Sequence, residues 1–184
     1  AAVDGGKVLD TSMGFTPLDG LVMGTRSGCI DPAIVTFIQN KEGLSADKAD
    51  TVLNKESGVF GISGVSSDFR DIEAAAEKGD KRAKLALDVF VERVKGYIGN
   101  YFARMNGADA IVFTAGVGEN DIGTRAAICS GMDALGIKLD ATRNDVRGRD
   151  TEISAEDSSV KVFLIPTNEE LMIARDTKEI VEAL

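Results

Sequence analysis

The clearest pattern in the chain is one apolar stripe between residues 80 and 106. Apolar side chains recur there at steps of three and four residues, a spacing that places them on one face of an α-helix. The members of this stripe are Ala83, Leu87, Val91, Val94, Ile98, Phe102 and Met105. The pattern predicts one long amphipathic helix, and the Asn106-Gly107 dipeptide predicts a turn at its end.

Two largely apolar runs have the length and composition of buried strands. The runs are "DAIVFTAG" (109–116) and "VKVFLIP" (160–166). A segment of helical pattern follows each run. These segments are 121–135, ended by Gly136, and 167–184. Thr167 and Glu170 have the spacing of a capping box, so Thr167 is predicted to cap the last helix. Strands that alternate with helices predict an α/β architecture with a largely buried sheet.

The first part of the chain combines a short hairpin with helices and one long loop. The sequence "VDGGKVLD" predicts two short strands about the Asp4-Gly5-Gly6 turn. Helices are predicted at 32–43, closed by Gly43, at 46–58, capped by Ser45, and at 71–80. Residues 11–32 have no sustained period but four glycines and two prolines, which predicts a shaped loop of the kind that is usually functional. Because no linker or repeat is found, residues 1–184 are predicted to form one compact domain.

Composition and charge narrow the chemistry that the chain can perform. Lys and Arg total 21 against 30 Asp and Glu, and the net charge of −9 argues against nucleic-acid binding. No apolar run approaches the ~20 residues that cross a bilayer, and the first ten residues lack the zones of a signal peptide. Two cysteines make no disulfide framework, which favours a reducing cytoplasm. Because histidine is absent, chemistry must depend on carboxylates, arginine, backbone amides and a hard cation such as magnesium.

The stretch "FTAGVGEN" (113–120) joins a predicted strand to a predicted helix through two glycines. Small residues let a ligand approach the backbone closely, and free N–H groups at a helix start favour anions. The stretch is neither a Walker loop nor a GxGxxG pattern. A purely structural turn and a nucleotide site both remain open interpretations of this sequence.

Two further positions are candidates for contacts to a phosphate or its metal. Arg26 lies in the glycine-rich loop, where it is either solvated or placed to reach a substrate phosphate with its planar fork. Glu169 lies in the first turn of the helix after the second strand. There it either complements the helix dipole or holds magnesium at the edge where open α/β sheets bind ligands.

Four long stretches together resemble the acetate kinase family, and their order and the gaps between them also match that family. They are "DTSMGFTPLDGLVMGTRSG", "GISGVSSDFRDI", "FTAGVGEN" and "IPTNEELMIARD". The resemblance implies a ribonuclease-H-like α/β fold, shared with actin, sugar kinases and heat-shock chaperones, in which a mixed sheet is flanked by helices. It also implies the magnesium-dependent, reversible reaction of ATP with acetate to give ADP and acetyl phosphate.

The resemblance assigns roles to individual residues of this sequence. Arg26 matches the arginine that stabilises the transferring phosphoryl group, and Glu169 matches the carboxylate associated with magnesium. Asp68, Phe69 and Arg70 match the segment that contacts the adenosine. The turn that closes over the nucleotide is matched by Gly116, Val117, Gly118, Glu119 and Asn120.

The resemblance covers residues 1–184 but only the C-terminal half of family members, so it implies a nucleotide-binding and dimerisation domain without its N-terminal domain. The phosphate loop, substrate arginine, metal-side aspartate and catalytic histidine of the family belong to that other half. We therefore expect no kinase activity from the chain alone. The implied ligands are ATP or ADP, magnesium and a short-chain carboxylate or acyl phosphate, in a cytoplasmic homodimer.

Two alternatives to an acetate kinase domain remain open at this point. The chain could be part of a propionate or butyrate kinase, since those enzymes share many of these motifs. It could also be a nucleotide-binding or dimerisation module without catalysis. Cys29 departs from the family, which usually has an acidic residue there, and this leaves the electrostatics beside Arg26 open.

Overall fold

The computed structural model describes all 184 residues, and they form two compact units, Ala1–Gly107 and Ala108–Leu184. The sequence pattern predicted one compact domain, and the structure divides it into these two units. No linker marks the division because it falls at the Asn106-Gly107 turn, where Asn106 takes the left-handed conformation with φ 58°.

The first unit is a bundle of helices with a small hairpin. Its elements are β1 (Ala2–Asp4), β2 (Lys7–Asp10), α1 (Ala33–Glu42), α2 (Ala46–Lys55), α3 (Gly58–Ser63), α4 (Phe69–Glu77) and α5 (Lys81–Met105). The predicted hairpin, the loop 11–32 and the long helix are confirmed. Gly43 ends α1 in the left-handed conformation, and the Ser45 side chain accepts a hydrogen bond from Lys48 N. The short helix α3 was not predicted, because half of its six residues are glycine or serine and its first N–H groups bond to the distant residues 23–25.

The core of the first unit forms where α3 and α4 pack against α5. Its fully or nearly fully buried members are Val22, Val59, Ile72, Ala83 and Ala86. Two alanines of α5 are buried there because small side chains let the neighbouring helices approach closely. The predicted stripe on α5 is thus confirmed as a packing face at its N-terminal end.

The second unit contains a mixed three-stranded sheet with helices. Its elements are β3 (Ala110–Phe113), α6 (Ala115–Asn120), α7 (Ile122–Cys129), a 3₁₀ turn (Asp133–Leu135), α8 (Ala141–Asn144), β4 (Thr151–Glu152), β5 (Lys161–Leu164) and α9 (Glu169–Glu182). The strand order is β3-β5-β4, with β3 parallel and β4 antiparallel to β5. This arrangement agrees with the α/β class and the mixed sheet that the sequence predicts.

Two predictions for the second unit need correction. β3 is not a buried strand, since only Phe113 is buried and Val112 is 49% exposed, whereas β5 buries Val162 and Leu164 fully. The helix expected over 121–135 ends at Cys129, because Gly131 takes a left-handed conformation with φ 72° that a helix does not continue through.

Helix α9 has no buried residue although it is rich in apolar side chains. Ile173, Ile180 and Val181 are each more than 60% exposed. The longest helix of the chain, α5, has 25 residues. Neither α5 nor any other helix is both long and apolar enough to cross a membrane.

Candidate functional site

The loop that carries Arg26 has a fixed backbone. The N-terminal end of α3 presents N–H groups that have no partner within the helix, and the loop carbonyls accept them. The bonds run from Ser57 N to Thr25 O (3.0 Å), from Val59 N to Met23 O (2.9 Å) and from Phe60 N to Gly24 O (3.0 Å). Gly58 lies at this contact with φ +64°, where the loop backbone passes too close for any side chain. The loop is therefore a docked part of the first unit.

Arg26 itself is half-buried and has no acidic partner. Met23 N donates to its carbonyl oxygen at 3.1 Å, and its guanidinium Nη1 contacts the sulfur of Met23 at 4.0 Å. None of the ion pairs of the chain includes Arg26. A planar guanidinium without a carboxylate partner remains available for an anion such as a phosphate.

The segment Asp68-Phe69-Arg70 forms the start of α4. Asp68 Oδ1 accepts from Arg70 N at 2.9 Å, and Asp68 Oδ2 lies 2.6 Å from Arg70 Nη2. The hydrogen bonds from the Arg70 side chain and backbone lower the pKa of Asp68 to about 2. The ring of Phe69 packs edge-to-face on Phe90 at 4.8 Å, so it belongs to the core cluster of the first unit.

The Arg26 loop and the Asp68 segment are neighbours within the first unit. A methyl group at Gly24 would lie 3.2 Å from the carbonyl oxygen of Ser67, the residue before Asp68. The structure therefore brings two of the predicted contact segments together, on one side of the α3–α4 region.

In the second unit the stretch 115–120 is a short helix, α6, where the sequence predicted a glycine turn. Neither Gly116 nor Gly118 has a positive φ, whereas Ala115, just before them, has φ +59°. A methyl group at Gly118 would lie 3.3 Å from the carbonyl carbon of Phe113, but one at Gly116 would meet no atom within 4 Å. The amide of Asn120 donates back to Gly116 O at 2.9 Å.

Glu119 connects this short helix to the segment before α9. Its Oε1 accepts from Thr167 N at 2.9 Å and from Thr167 Oγ1 at 3.1 Å. The Thr167 N–H is the main reason that the pKa of Glu119 is lowered. Glu169 lies two residues further on, in the first turn of α9, so the structure brings the predicted turn and the predicted metal residue into adjoining segments.

The predicted N-cap of α9 is wrong by one residue. The Asn168 side chain accepts from Leu171 N at 3.1 Å and caps the helix. The Thr167 hydroxyl donates to Glu119 instead, and Thr167 N donates to the same carboxylate oxygen.

The sequence did not predict a hydrogen-bond network in which two arginine side chains donate to backbone carbonyls of α6. Arg125, on α7, is fully buried and donates to Gly118 O at 2.8 Å and to acceptors of Asn144 and Val146. Arg147 Nε donates to Asn120 O at 2.8 Å. Burial lowers the pKa of the Arg125 guanidinium, and the Asp121 carboxylate nearby opposes this. The only signal in the sequence is one arginine within the apolar stretch "RAAIC".

The donor set fits magnesium only together with other oxygen ligands. No group of three or more His, Cys, Asp or Glu side chains is arranged to hold a metal ion. Magnesium needs six oxygen ligands and is commonly bound by one or two carboxylates plus substrate phosphates and water. A single carboxylate such as Glu169 is compatible with that mode of binding.

The fold belongs to the ribonuclease-H-like class, in which a mixed sheet is flanked by helices. The model of the Acetokinase family matches residues 1–175, and the chain belongs to that family. The acetate kinase of Treponema denticola is 64% identical over 182 residues, which cover 99% of this chain and 46% of that protein. The predicted family is confirmed.

Solved structures of relatives confirm the predicted fold class. The crystal structure of acetate kinase from Porphyromonas gingivalis superposes with a TM-score of 0.93 at 48% identity, over 97% of this chain and 45% of that one. A propionate kinase from Francisella tularensis gives a TM-score of 0.87 at 47% identity, over 95% of this chain and 44% of that one. The chain thus spans less than half the length of these relatives.

Proposed function

We propose that this chain is the nucleotide-binding part of a phosphotransferase that converts ATP and acetate to ADP and acetyl phosphate, with magnesium. Membership of the Acetokinase family and the names of the relatives support this reaction.

The observation that carries nucleotide binding is the conformation of Gly116. It lies in a short helix without a positive φ, and open space surrounds the position of a side chain. Glycine costs roughly 1 kcal/mol relative to alanine in a helix interior. Gly96 in α5 is equally open, but Gly116 lies at the junction of a strand and a helix, in the motif that the resemblance assigns to the nucleotide; we therefore attribute Gly116 to a ligand that approaches the backbone. The phosphates of a nucleotide fit the small-residue strand-to-helix junction.

The other residues provide charge for phosphoryl transfer. Charge spreads over the equatorial oxygens of the transferring group, and catalysis is mostly positioning and electrostatic stabilisation. Arg26 would compensate that charge with a guanidinium that forms no other ion pair. Glu169 would hold the magnesium ion that neutralises the phosphate oxygens. Asp68 and Arg70 would contact the adenosine through their paired, exposed side chains.

The choice of acid stays open between acetate and propionate. Solved relatives with both names match this chain at nearly equal identity, 48% and 47%. One methylene in an apolar pocket changes binding by only ~1–3 kcal/mol. Rates with acetate and with propionate would decide between them in a protein that joins this chain to the N-terminal half of the family. The chain alone should convert neither acid, and production of acetyl phosphate by the chain alone would contradict that expectation.

The nucleotide proposal is tested by calorimetric titration of the chain with Mg-ADP. We expect saturable binding and a Kd raised at least about tenfold by Gly116→Ala, which is about 1.4 kcal/mol. Stability should stay equal or rise, since alanine favours the helix. Gly96→Ala is the matched control: Gly96 lies in α5 with no atom within 4 Å of an added methyl group, so the substitution should leave Kd unchanged.

Two outcomes would contradict the proposal. Absence of saturable Mg-ADP binding by the unsubstituted chain would remove the nucleotide function. Equal Kd values for Gly116→Ala and Gly96→Ala would remove the role of Gly116.

We also propose that the protein is a cytoplasmic homodimer that associates through the first unit. Large apolar side chains are exposed there, including Val8 (67%), Phe15 (105%) and Phe37 (60%). Cys29 and Cys129 form no disulfide, which agrees with a reducing compartment. Sedimentation equilibrium should give a dimer, and a Phe37→Glu variant should sediment as a monomer.

A further inference from the structure

We infer that Arg125 is a positioning residue that sets the conformation of α6 (115–120) for nucleotide binding. The inference rests on the proposed function of α6, and it extends that function to a residue that does not itself reach the ligand. It is carried by the hydrogen bonds of a fully buried guanidinium.

The Arg125 side chain donates to two separate segments at once. Nη1 donates to Gly118 O at 2.8 Å, inside α6. Nε donates to Asn144 Oδ1 at 2.8 Å, and Nη2 donates to Asn144 O at 2.9 Å and Val146 O at 2.7 Å. All acceptors on the second segment belong to the end of α8 and the loop after it. The guanidinium therefore fixes the distance between α6 and that loop.

Further bonds couple the same two segments at their edges. Arg147 Nε donates to Asn120 O at 2.8 Å, and Gly148 N donates to Glu119 O at 3.3 Å. Of these, only the bonds of Arg125 are made by a fully buried side chain. Arg125 is thus the interior member of a clamp, defined here as Arg125, Arg147 and Gly148 with their acceptors.

The clamp acts on a segment that needs support. Ala115 has φ +59°, a conformation that residues with a side chain adopt only when their surroundings enforce it. Gly118 O, the acceptor of Arg125, lies three residues further on. Arginine suits this task because its planar fork donates in several directions at once, which the single ammonium of lysine cannot match.

No acidic side chain forms an ion pair with Arg125. The charged groups that face it are Asp121, whose Oδ1 caps α7 at Thr124 N, and Arg147. A buried cation satisfied by carbonyl oxygens is costly to retain if its only task is packing. Its acceptors lie on α6 and on the segment from Asn144 to Val146, so the task we assign to Arg125 is to hold α6 against that segment.

The test compares Arg125→Lys with two controls in nitrogen-15 NMR spectra and Mg-ADP titrations. Arg143→Lys changes an arginine of the same unit that bonds to Ser154 O instead of α6. Ile153→Val removes a methyl group from a fully buried side chain and provides a variant of reduced stability. Arg125→Lys should shift the amide resonances of Gly116 and Gly118 without nucleotide, and raise the Kd for Mg-ADP about tenfold or more.

The outcomes separate positioning from stability and from the proposed function. Unchanged Gly116 and Gly118 resonances in Arg125→Lys would overturn the inference. The inference would also be overturned if Ile153→Val, with a Tm as low as that of Arg125→Lys, raised the Kd for Mg-ADP by the same factor. Shifted resonances in a chain that never binds Mg-ADP would leave the clamp in place and refute the nucleotide function instead.

A second measurement covers an Arg125→Lys variant that does not fold. In the unsubstituted chain, hydrogen exchange of the Arg125 Nη1–H, which donates to Gly118 O, and of the α6 amides should proceed with the same opening free energy, because one event releases both. Much faster exchange of the α6 amides than of the Nη1–H would show that α6 opens without Arg125, and would overturn the inference.

Discussion

Replacing Gly58 by alanine should destabilise the first unit more than replacing another glycine that has the same backbone conformation but no close neighbours. Gly58 has φ +64°, and an added methyl group would overlap the carbonyl oxygen of Met23. It would also lie 2.9 Å from the carbonyl oxygens of Gly24 and Arg26. All three are backbone atoms, so no flexible side chain can move aside, and the Arg26 loop itself must shift.

The size of the effect follows from these contacts. A residue with a side chain in the left-handed region costs roughly 1–2 kcal/mol. A shifted loop weakens the bonds from Val59 N to Met23 O and from Phe60 N to Gly24 O, each worth about 1 kcal/mol. The expected loss of unfolding free energy is therefore roughly 3–4 kcal/mol, a large part of the ~5–15 kcal/mol that stabilises a typical domain.

Gly43→Ala provides the matched control. Gly43 has φ +65°, but no atom lies within 4 Å of an added methyl group. Only the cost of the backbone conformation applies, about 1–2 kcal/mol. Urea unfolding followed by circular dichroism at 222 nm measures both variants, since helices α1 to α5 lie in this unit. Equal losses in the two variants would refute the reasoning that Gly58 is needed for the close approach of the loop.

Three further predictions address charge, core and surface. The pKa of Asp68, about 2 against the ordinary 3.8, gives stability above pH 4 that is lost as pH falls toward 2. Carbon-13 NMR should find that midpoint and a higher one in Arg70→Gln; a midpoint near 3.8 in the unsubstituted chain would contradict this. Leu164→Ala removes a fully buried side chain of β5 and should cost about 2–5 kcal/mol in urea unfolding, whereas a loss under ~1 kcal/mol would mean that the site collapses around the gap. Ile173→Ser on α9, where the side chain is 65% exposed, should change stability by less than ~0.5 kcal/mol, and a larger loss by calorimetry would show that α9 is packed.

Local pattern was sufficient for the elements whose stability is local. The long helix α5, the hairpin at Gly5-Gly6 and the caps at Gly43 and Ser45 follow from spacing and from single-residue conformational preferences. The family also followed from the sequence alone, because four long motifs in fixed order carry it. Helix α3 was missed because carbonyls of the distant Arg26 loop satisfy its first N–H groups.

Contacts between distant residues decided the rest. Thr167 has the capping-box spacing to Glu170, yet its hydroxyl donates to Glu119, 48 residues earlier in the chain, and the side chain of Asn168 caps the helix. Little in the sequence around Arg125 distinguishes it from other helix residues. In the structure its buried guanidinium donates hydrogen bonds both to α6 and to the loop after α8. Sequence alone determined the family, most of the helices and the candidate site segments. Only the tertiary structure decided which polar groups form hydrogen bonds with each other. A hydrogen bond requires that both partners lie in specific positions, whereas sequence periodicity predicts the burial of each residue separately.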